Sequence, residues 1–229
     1  MRVVFLGFAA FLFFAATAWT PEDNTLPARR LDVPITLAPS AFPYVHLKPE
    51  VSLKGSPESL IWQNLKLTLE GMERFWNDRH IGEAIQAGRL LPLALGECLV
   101  ADNWLDRRWH FVLERVNSFL SGFGRTVCSE FGRPVKVNSA VRHVPRQLQL
   151  ILGTGFDGRN YNAAPVSGPR ASPHLTGAAV DIAILGMPKG FLEVASEILL
   201  GLEGAGLIDA TLETEAANVL HITVFREYK

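Results

Sequence analysis

Hydrophobic and polar positions along this chain change period several times, and each change predicts an element. Ile61, Leu65, Met72, Phe75 and Trp76 recur at helical spacing. Leu105, Trp109, Val112, Leu113, Val116, Phe119, Leu120 and Phe123 extend the same period into one long amphipathic helix. Together these helices form a wall of the core. Gly132-Arg133-Pro134 stops the helical region, residues 135–141 read as a strand, and a short helix follows over 147–152. An irregular segment rich in Gly, Asn, Pro and Ser fills 153–173. Beyond it, 178–184 alternates as a strand, and Phe191, Val194, Ala195, Ile198, Leu199 and Leu202 make a helical face stopped by Gly204 and Gly206. Two closing strands, 210–214 and 219–225, flank Glu215-Ala216-Ala217-Asn218 as a hairpin. Helices first and strands interleaved with helices afterwards predict an α+β domain, with a small, largely antiparallel sheet packed against helices.

The N-terminal third reads differently. Arg2 precedes an apolar run over 3–19, and Ala16-Thr17-Ala18 offers the small-x-small pattern of a signal-peptidase site. Residues 1–18 are therefore a cleaved signal peptide or an uncleaved N-terminal membrane anchor, and either places the chain outside the cytoplasm, periplasmic or secreted. Residues 19–57 carry Pro21, Pro27, Pro34, Pro39, Pro43, Pro49 and Pro57, which predicts an extended arm. The α+β domain then occupies 58–229.

Composition narrows the partners. The 229 residues hold 22 basic and 23 acidic side chains with a net charge of -1 and no basic cluster, so there is no nucleic-acid footprint. Cys98 and Cys128 are the two cysteines: one disulfide or two buried thiols. The CxxC pairs of structural zinc sites are absent, which argues against a cysteine-based metal site.

The candidate chemistry begins in Ser172-Pro173-His174-Leu175-Thr176-Gly177-Ala178-Ala179-Val180-Asp181. Gly177 allows a sharp turn, after which the strand period sets Asp181 on one face with Ala179 and Ala183, whose small side chains leave room for a hydrated ion. In the last strand His221 shares a face with Val219 and Thr223. If the two strands pair, His174, Asp181 and His221 converge as two imidazoles and a carboxylate with an open position, the ligand count of a catalytic zinc site. His46, His80, His110 and His143 lack partners at useful spacing and read as surface or packing residues.

The decapeptide fits the pattern S-x-H-x-x-G-x-A-x-D, and in this it resembles the zinc D-alanyl-D-alanine peptidase superfamily, which includes carboxypeptidases, dipeptidases, murein endopeptidases and the hedgehog signalling domain. Ser139-Ala140-Val141-Arg142 looks like the family's earlier S-x-x-R strand end, with Gln147 at the glutamine that often follows. The resemblance covers roughly 135–225. It implies a hedgehog/D,D-peptidase-like fold, Zn2+ held by His174, Asp181 and His221, and Arg142, with Ser139 and Gln147, on the substrate side. It further implies hydrolysis of an amide bond in peptidoglycan peptides, as a D,D- or L,D-carboxypeptidase or endopeptidase. One position departs from the pattern: many members carry a glutamate three residues before the last histidine, and here that residue is Asn218. The nearest carboxylates are Glu213 and Glu215, of one strand parity, and one hairpin register would set Glu213 opposite His221. The alternative expectation is a zinc-containing cell-wall binding module without turnover.

Overall fold

The computed structural model describes residues 52–153, 163–213 and 218–228. The predicted signal or anchor segment and most of the arm lie outside them. Five helices are described: α1 (Pro57–Leu69), α2 (Asp78–Gln86), α3 (Glu114–Phe131), α4 (Val144–Leu152) and α5 (Phe191–Gly204). The strands are β1 (Leu91–Pro92), β2 (Leu99–Ala101), β3 (Phe111–Val112), β4 (Val135–Ser139), β5 (Ala179–Ala183), β6 (Ile208–Glu213) and β7 (Val219–Val224). The architecture is α+β. A five-stranded sheet runs in the order β2-β4-β5-β7-β6, and β1 and β3 form a separate antiparallel pair. In the larger sheet only β2–β4 is parallel, so the sheet is mixed but largely antiparallel, as expected.

One face of the sheet is the main core. Val135, Val137, Val180, Ile182, Leu220, Ile222 and Val224 meet Val116, Phe119, Leu120, Phe123 and Val127 of α3 and Phe191, Ala195 and Leu199 of α5. The period of 3.6 in α3 supplies this stripe, and Gly132, at φ 64°, ends the helix in the left-handed region that favours glycine. Cys98 and Cys128 are joined as a disulfide across a Cα–Cα distance of 5.4 Å, tying the strand-side chain at β2 to α3.

The opposite face is polar, and α1 covers part of it with polar residues. Its buried positions are Ser59, Gln63, Asn64 and Leu67. This corrects the expectation for the first helical segment: Ile61 and Leu65 are half-buried, Trp76 is exposed, and Met72 and Phe75 fall beyond the helix end. A second correction concerns 105–123. Asp106 caps a 3-10 turn at Arg107–Trp109, β3 pairs with β1, and the α-helix starts only at Glu114. Leu113 cannot continue an upstream helix, because its N–H donates to the Gly177 carbonyl at 3.1 Å. The arm boundary also shifts slightly: Pro57, assigned to the arm, is the first residue of α1, where its missing N–H costs no helical hydrogen bond.

Candidate metal centre

The turn carrying His174 is built locally and then tied down. Pro173–Thr176 forms a 3-10 turn that closes on Gly177 at φ 74°. A Cβ there would meet Leu90 Cδ2 at 2.6 Å, so both backbone and space require glycine. Three backbone hydrogen bonds hold the turn: Phe75 N–H to Leu175 O at 2.7 Å, Arg142 N–H to His174 O at 3.0 Å, and Leu113 N–H to Gly177 O. Beyond the glycine the chain enters β5, and alternation points Asp181 to the polar face. Asp181 and His221 are direct cross-strand partners in the β5–β7 register, so their side chains leave the sheet side by side.

The three predicted ligands come together. His174 Nε2 lies 3.1 Å from Asp181 Oδ1 and 3.2 Å from His221 Nδ1, and His221 Nδ1 lies 2.8 Å from the same carboxylate oxygen. One ligand atom from each residue falls within 4.8 Å of the others, and all three residues are buried. The donor chemistry fits a cation. His174 Nδ1–H donates to the Ala140 carbonyl at 2.8 Å, so its Nε2 lone pair faces the anionic Asp181 Oδ1, an encounter of two electron-rich atoms that a positive centre relieves. Arg142 Nη2 donates to Asp181 Oδ2 at 3.0 Å, which leaves Oδ1 for the centre. This group can bind a metal ion.

The titration states of His174 and Asp181 agree with that use, and that of His221 sets a proton in competition with the ion. Burial, with the Arg142 charge beside it, takes the His174 imidazole down to about 4, against the pull of Asp181, so it is neutral at pH 7. Burial opposes ionisation of Asp181, yet the His174 and His221 contacts carry its carboxyl well below the usual range. For His221, burial disfavours the charged form, but the Asp181 hydrogen bond and the Asp181 and Glu213 charges raise its pKa.

Ser139, Arg142 and Gln147 form one cluster against the carboxylate. Arg142 donates to Ser139 Oγ from Nε at 3.0 Å and Nη2 at 2.6 Å, and to Gln147 Oε1 from Nη1 at 3.1 Å. Ser139 reaches this face because of a β-bulge. Val137 pairs with Ile182 on the core face, but the register shifts by one before Ser139, which then pairs with Asp181. Without the extra residue, strand alternation would have turned Ser139 into the apolar core.

The hairpin register corrects one expectation: Thr211, not Glu213, is opposite His221, and Glu213 pairs with Val219. Parity still sets Glu213 on the histidine face, two residues along, and it lines the same cavity. Its side chain is exposed at the rim. Burial, with the Asp181 charge, pushes its carboxyl up against the opposing His221 and Arg142 charges. Glu215 lies outside the described residues. Asn218 is exposed with φ 49°, turning the chain into β7, and its carbonyl accepts from Ile184 N–H at 2.9 Å.

The ligands sit in a cavity of ≈ 910 Å³ that extends past Trp104, Trp109, Arg146, Leu150 and Arg170. Sequence patterning missed a set of buried polar residues beside it, of which Ser59 and Gln63 line the cavity. Thr223 donates to Gln63 Oε1 at 2.8 Å, Gln63 Nε2 donates to Asp209 Oδ1 at 2.7 Å, and Ser59 donates to the same oxygen at 2.7 Å. No signal within the helix marks them, because the charged Lys66 and Glu70 fall on the same helical face as Ser59 and Gln63. Among the other histidines, His143 caps α4 by accepting from Arg146 N–H and meets Asp78 at 2.8 Å, and His110 Nε2 lies 2.9 Å from Leu105 O. His46 lies outside the described residues. No protein-family model, curated protein or solved structure matches the chain.

Proposed function

We propose that this protein is a zinc-dependent peptidase that hydrolyses an amide bond in peptidoglycan peptides outside the cytoplasm, as a D,D- or L,D-carboxypeptidase or endopeptidase. The observation that carries the reading is the convergence of His174 Nε2, Asp181 Oδ1 and His221 Nδ1, with Arg142 on the second oxygen of the same carboxylate. The resemblance of 172–181 and 139–142 to the zinc D-alanyl-D-alanine peptidase superfamily supports the substrate class. The Cys98–Cys128 disulfide and the apolar N-terminal run support an oxidising, extracytoplasmic setting.

His174, Asp181 and His221 would hold the ion. When bound, zinc lowers the pKa of water to about 7 and polarises a carbonyl. Glu213 is the base within this chain's described residues: its raised pKa suits it to take a proton from the attacking water and return it to the leaving amine. Arg142, fixed by Ser139 and Gln147, orients a substrate carboxylate or carbonyl, and Arg146 and Arg170 make the cavity suited to a peptide bearing further carboxylates. Asn218, which cannot take a proton at the position many superfamily members reserve for a glutamate, favours a second reading: a zinc-containing cell-wall binding module without turnover.

Metal analysis of the purified protein with a mass-resolved digest of peptidoglycan separates the two. The peptidase reading expects about one zinc per chain and a defined cleavage product. Glu213→Gln should then lower kcat by roughly 10²–10⁴-fold with the metal retained. Zinc held by a wild-type protein that leaves both peptidoglycan peptides and D-Ala-D-Ala uncut would sink the peptidase reading and leave the binding module.

A further inference from the structure

The buried side chains Thr223, Gln63, Asp209 and Ser59 form a chain of hydrogen bonds whose direction is fixed from its far end. Asp209 Oδ1 accepts from both Ser59 Oγ–H and Gln63 Nε2–H, each at 2.7 Å. The amide nitrogen of Gln63 also donates to Ser59 Oγ at 3.2 Å. A flipped amide would press its carbonyl oxygen against the carboxylate, so Gln63 Oε1 has to face the other way. There it meets Thr223 Oγ1 at 2.8 Å, and because an amide oxygen only accepts, the threonine proton is committed to it. The remaining capacity of Thr223 Oγ1 is as an acceptor, and His221 Nε2 lies 3.5 Å away. Every member is nearly removed from solvent: Thr223 is 0% exposed, Gln63 1%, Asp209 2% and Ser59 6%. Helix α1 thus reaches through the sheet's polar face to the back of one metal ligand.

We infer that this chain is the device that orients His221 for metal: Thr223 takes the Nε2–H, which keeps Nδ1 turned toward Asp181 Oδ1 and His174 Nε2. The inference rests on the reading of His174, Asp181 and His221 as metal ligands. Thr223, Gln63 and Asp209 are positioning residues, acting through the imidazole rather than on substrate. Outer partners of this kind fix which ring nitrogen ligates and raise ligand basicity, and their loss costs roughly 10–100-fold in metal affinity. The polar buried face of α1 follows from this role. A helix that only covered the sheet would bury apolar residues at positions 59 and 63.

The test is zinc affinity by competition against a chromophoric chelator, paired with the absorption spectrum of the Co2+-loaded protein, on wild type, Thr223→Val, Thr223→Ser, Gln63→Met and the Thr223→Val/Gln63→Met double variant. Affinity should fall roughly 10–100-fold in Thr223→Val and in Gln63→Met. It should fall no further in the double variant, since one chain is broken twice, and should return in Thr223→Ser, which keeps the hydroxyl. The cobalt spectrum should change in the two single variants and not in Thr223→Ser. Thermal unfolding of the metal-free proteins separates a packing defect, which would lower the melting temperature while leaving affinity and spectrum as in wild type. Affinities of Thr223→Val and Gln63→Met within twofold of wild type overturn the inference whatever the protein hydrolyses. Metal bound with the expected variant pattern but no cleavage upholds it and defeats the peptidase reading alone.

Discussion

Along β5 and β7 the two faces of the five-stranded sheet are both buried and chemically opposite. β5 and β7 are buried at every position, so alternate residues on the same strands face either an apolar interior or a polar one. Val180, Ile182, Leu220, Ile222 and Val224 are at 0% exposure on one side, and Asp181, His221 and Thr223 are at 7%, 7% and 0% on the other. The apolar face draws its stability from area removed from water and from close packing. The polar face holds groups that are costly to bury unless each finds a partner, and it answers that cost with a connected set of hydrogen bonds and ion pairs. Burial alone therefore does not separate core from site in this molecule. What separates them is whether a side chain is replaceable by volume or only by hydrogen-bonding pattern.

The largest expected difference comes from cutting into the apolar face. Phe119 is fully buried, stacked on Phe123 at a centroid distance of 5.5 Å and edge-on to Tyr228 at 5.8 Å. Phe119→Ala should lower the unfolding free energy by about 3–5 kcal/mol, read by urea denaturation of the metal-free protein. Metal affinity of the molecules that remain folded should stay as in wild type. A loss of metal binding in that folded fraction would show that the two faces are coupled and break the comparison. Next in size is the Cys98–Cys128 disulfide, which closes a separation of 30 residues between β2 and α3 on the apolar side. Its reduction should cost about 2–4 kcal/mol of stability, measured by denaturation with and without reductant, again with the ligand geometry intact.

The difference between the faces also explains what was legible in the sequence. The Ser172–Asp181 stretch reads correctly because its information is local: a turn needing glycine, then strand alternation that fixes the side of Asp181. The same alternation sets His221 on the matching face of β7, and the two strands do pair. Hydropathy failed where the polar face was involved. Ser59, Gln63 and Asn64 look like a solvated helical stripe, because no pattern within α1 can reveal that the surface it meets, with Asp209 and Thr223, is polar as well. The bulge before Ser139 and the register that puts Thr211 opposite His221 are properties of strand pairs, and a one-residue shift leaves each strand's own pattern unchanged. Residues 105–112 misled for the opposite reason: their apolar positions fit helical spacing, yet Asp106 caps a tight turn and the Leu113 N–H is committed to Gly177. The pairing of Cys98 with Cys128 likewise depends on how β2 and α3 dock, and spacing in sequence says nothing of that.

The smallest expected effect tests whether the polar face is held at a cost to the fold. Burial raises the Asp209 pKa above its ordinary value, with the Ser59 and Gln63 hydrogen bonds opposing the shift only in part. Between the unfolded and folded pKa values the folded protein binds the proton more tightly, so this group's contribution to stability falls as pH rises through that window and stays unfavourable above it. Asp209→Asn removes the buried charge while its amide oxygen can still accept from Ser59 and Gln63. The metal-free variant should therefore be more stable than wild type at pH 7 by about 1 kcal/mol or less, and the gain should vanish on acidification, as followed by denaturant midpoints across pH. A variant less stable than wild type at neutral and acid pH alike would mean that the ionised carboxylate is a net source of stability. The two faces would then differ in chemistry but not in cost. The expected result places Asp209 among residues kept for what they do to His221 through Gln63 rather than for what they add to folding.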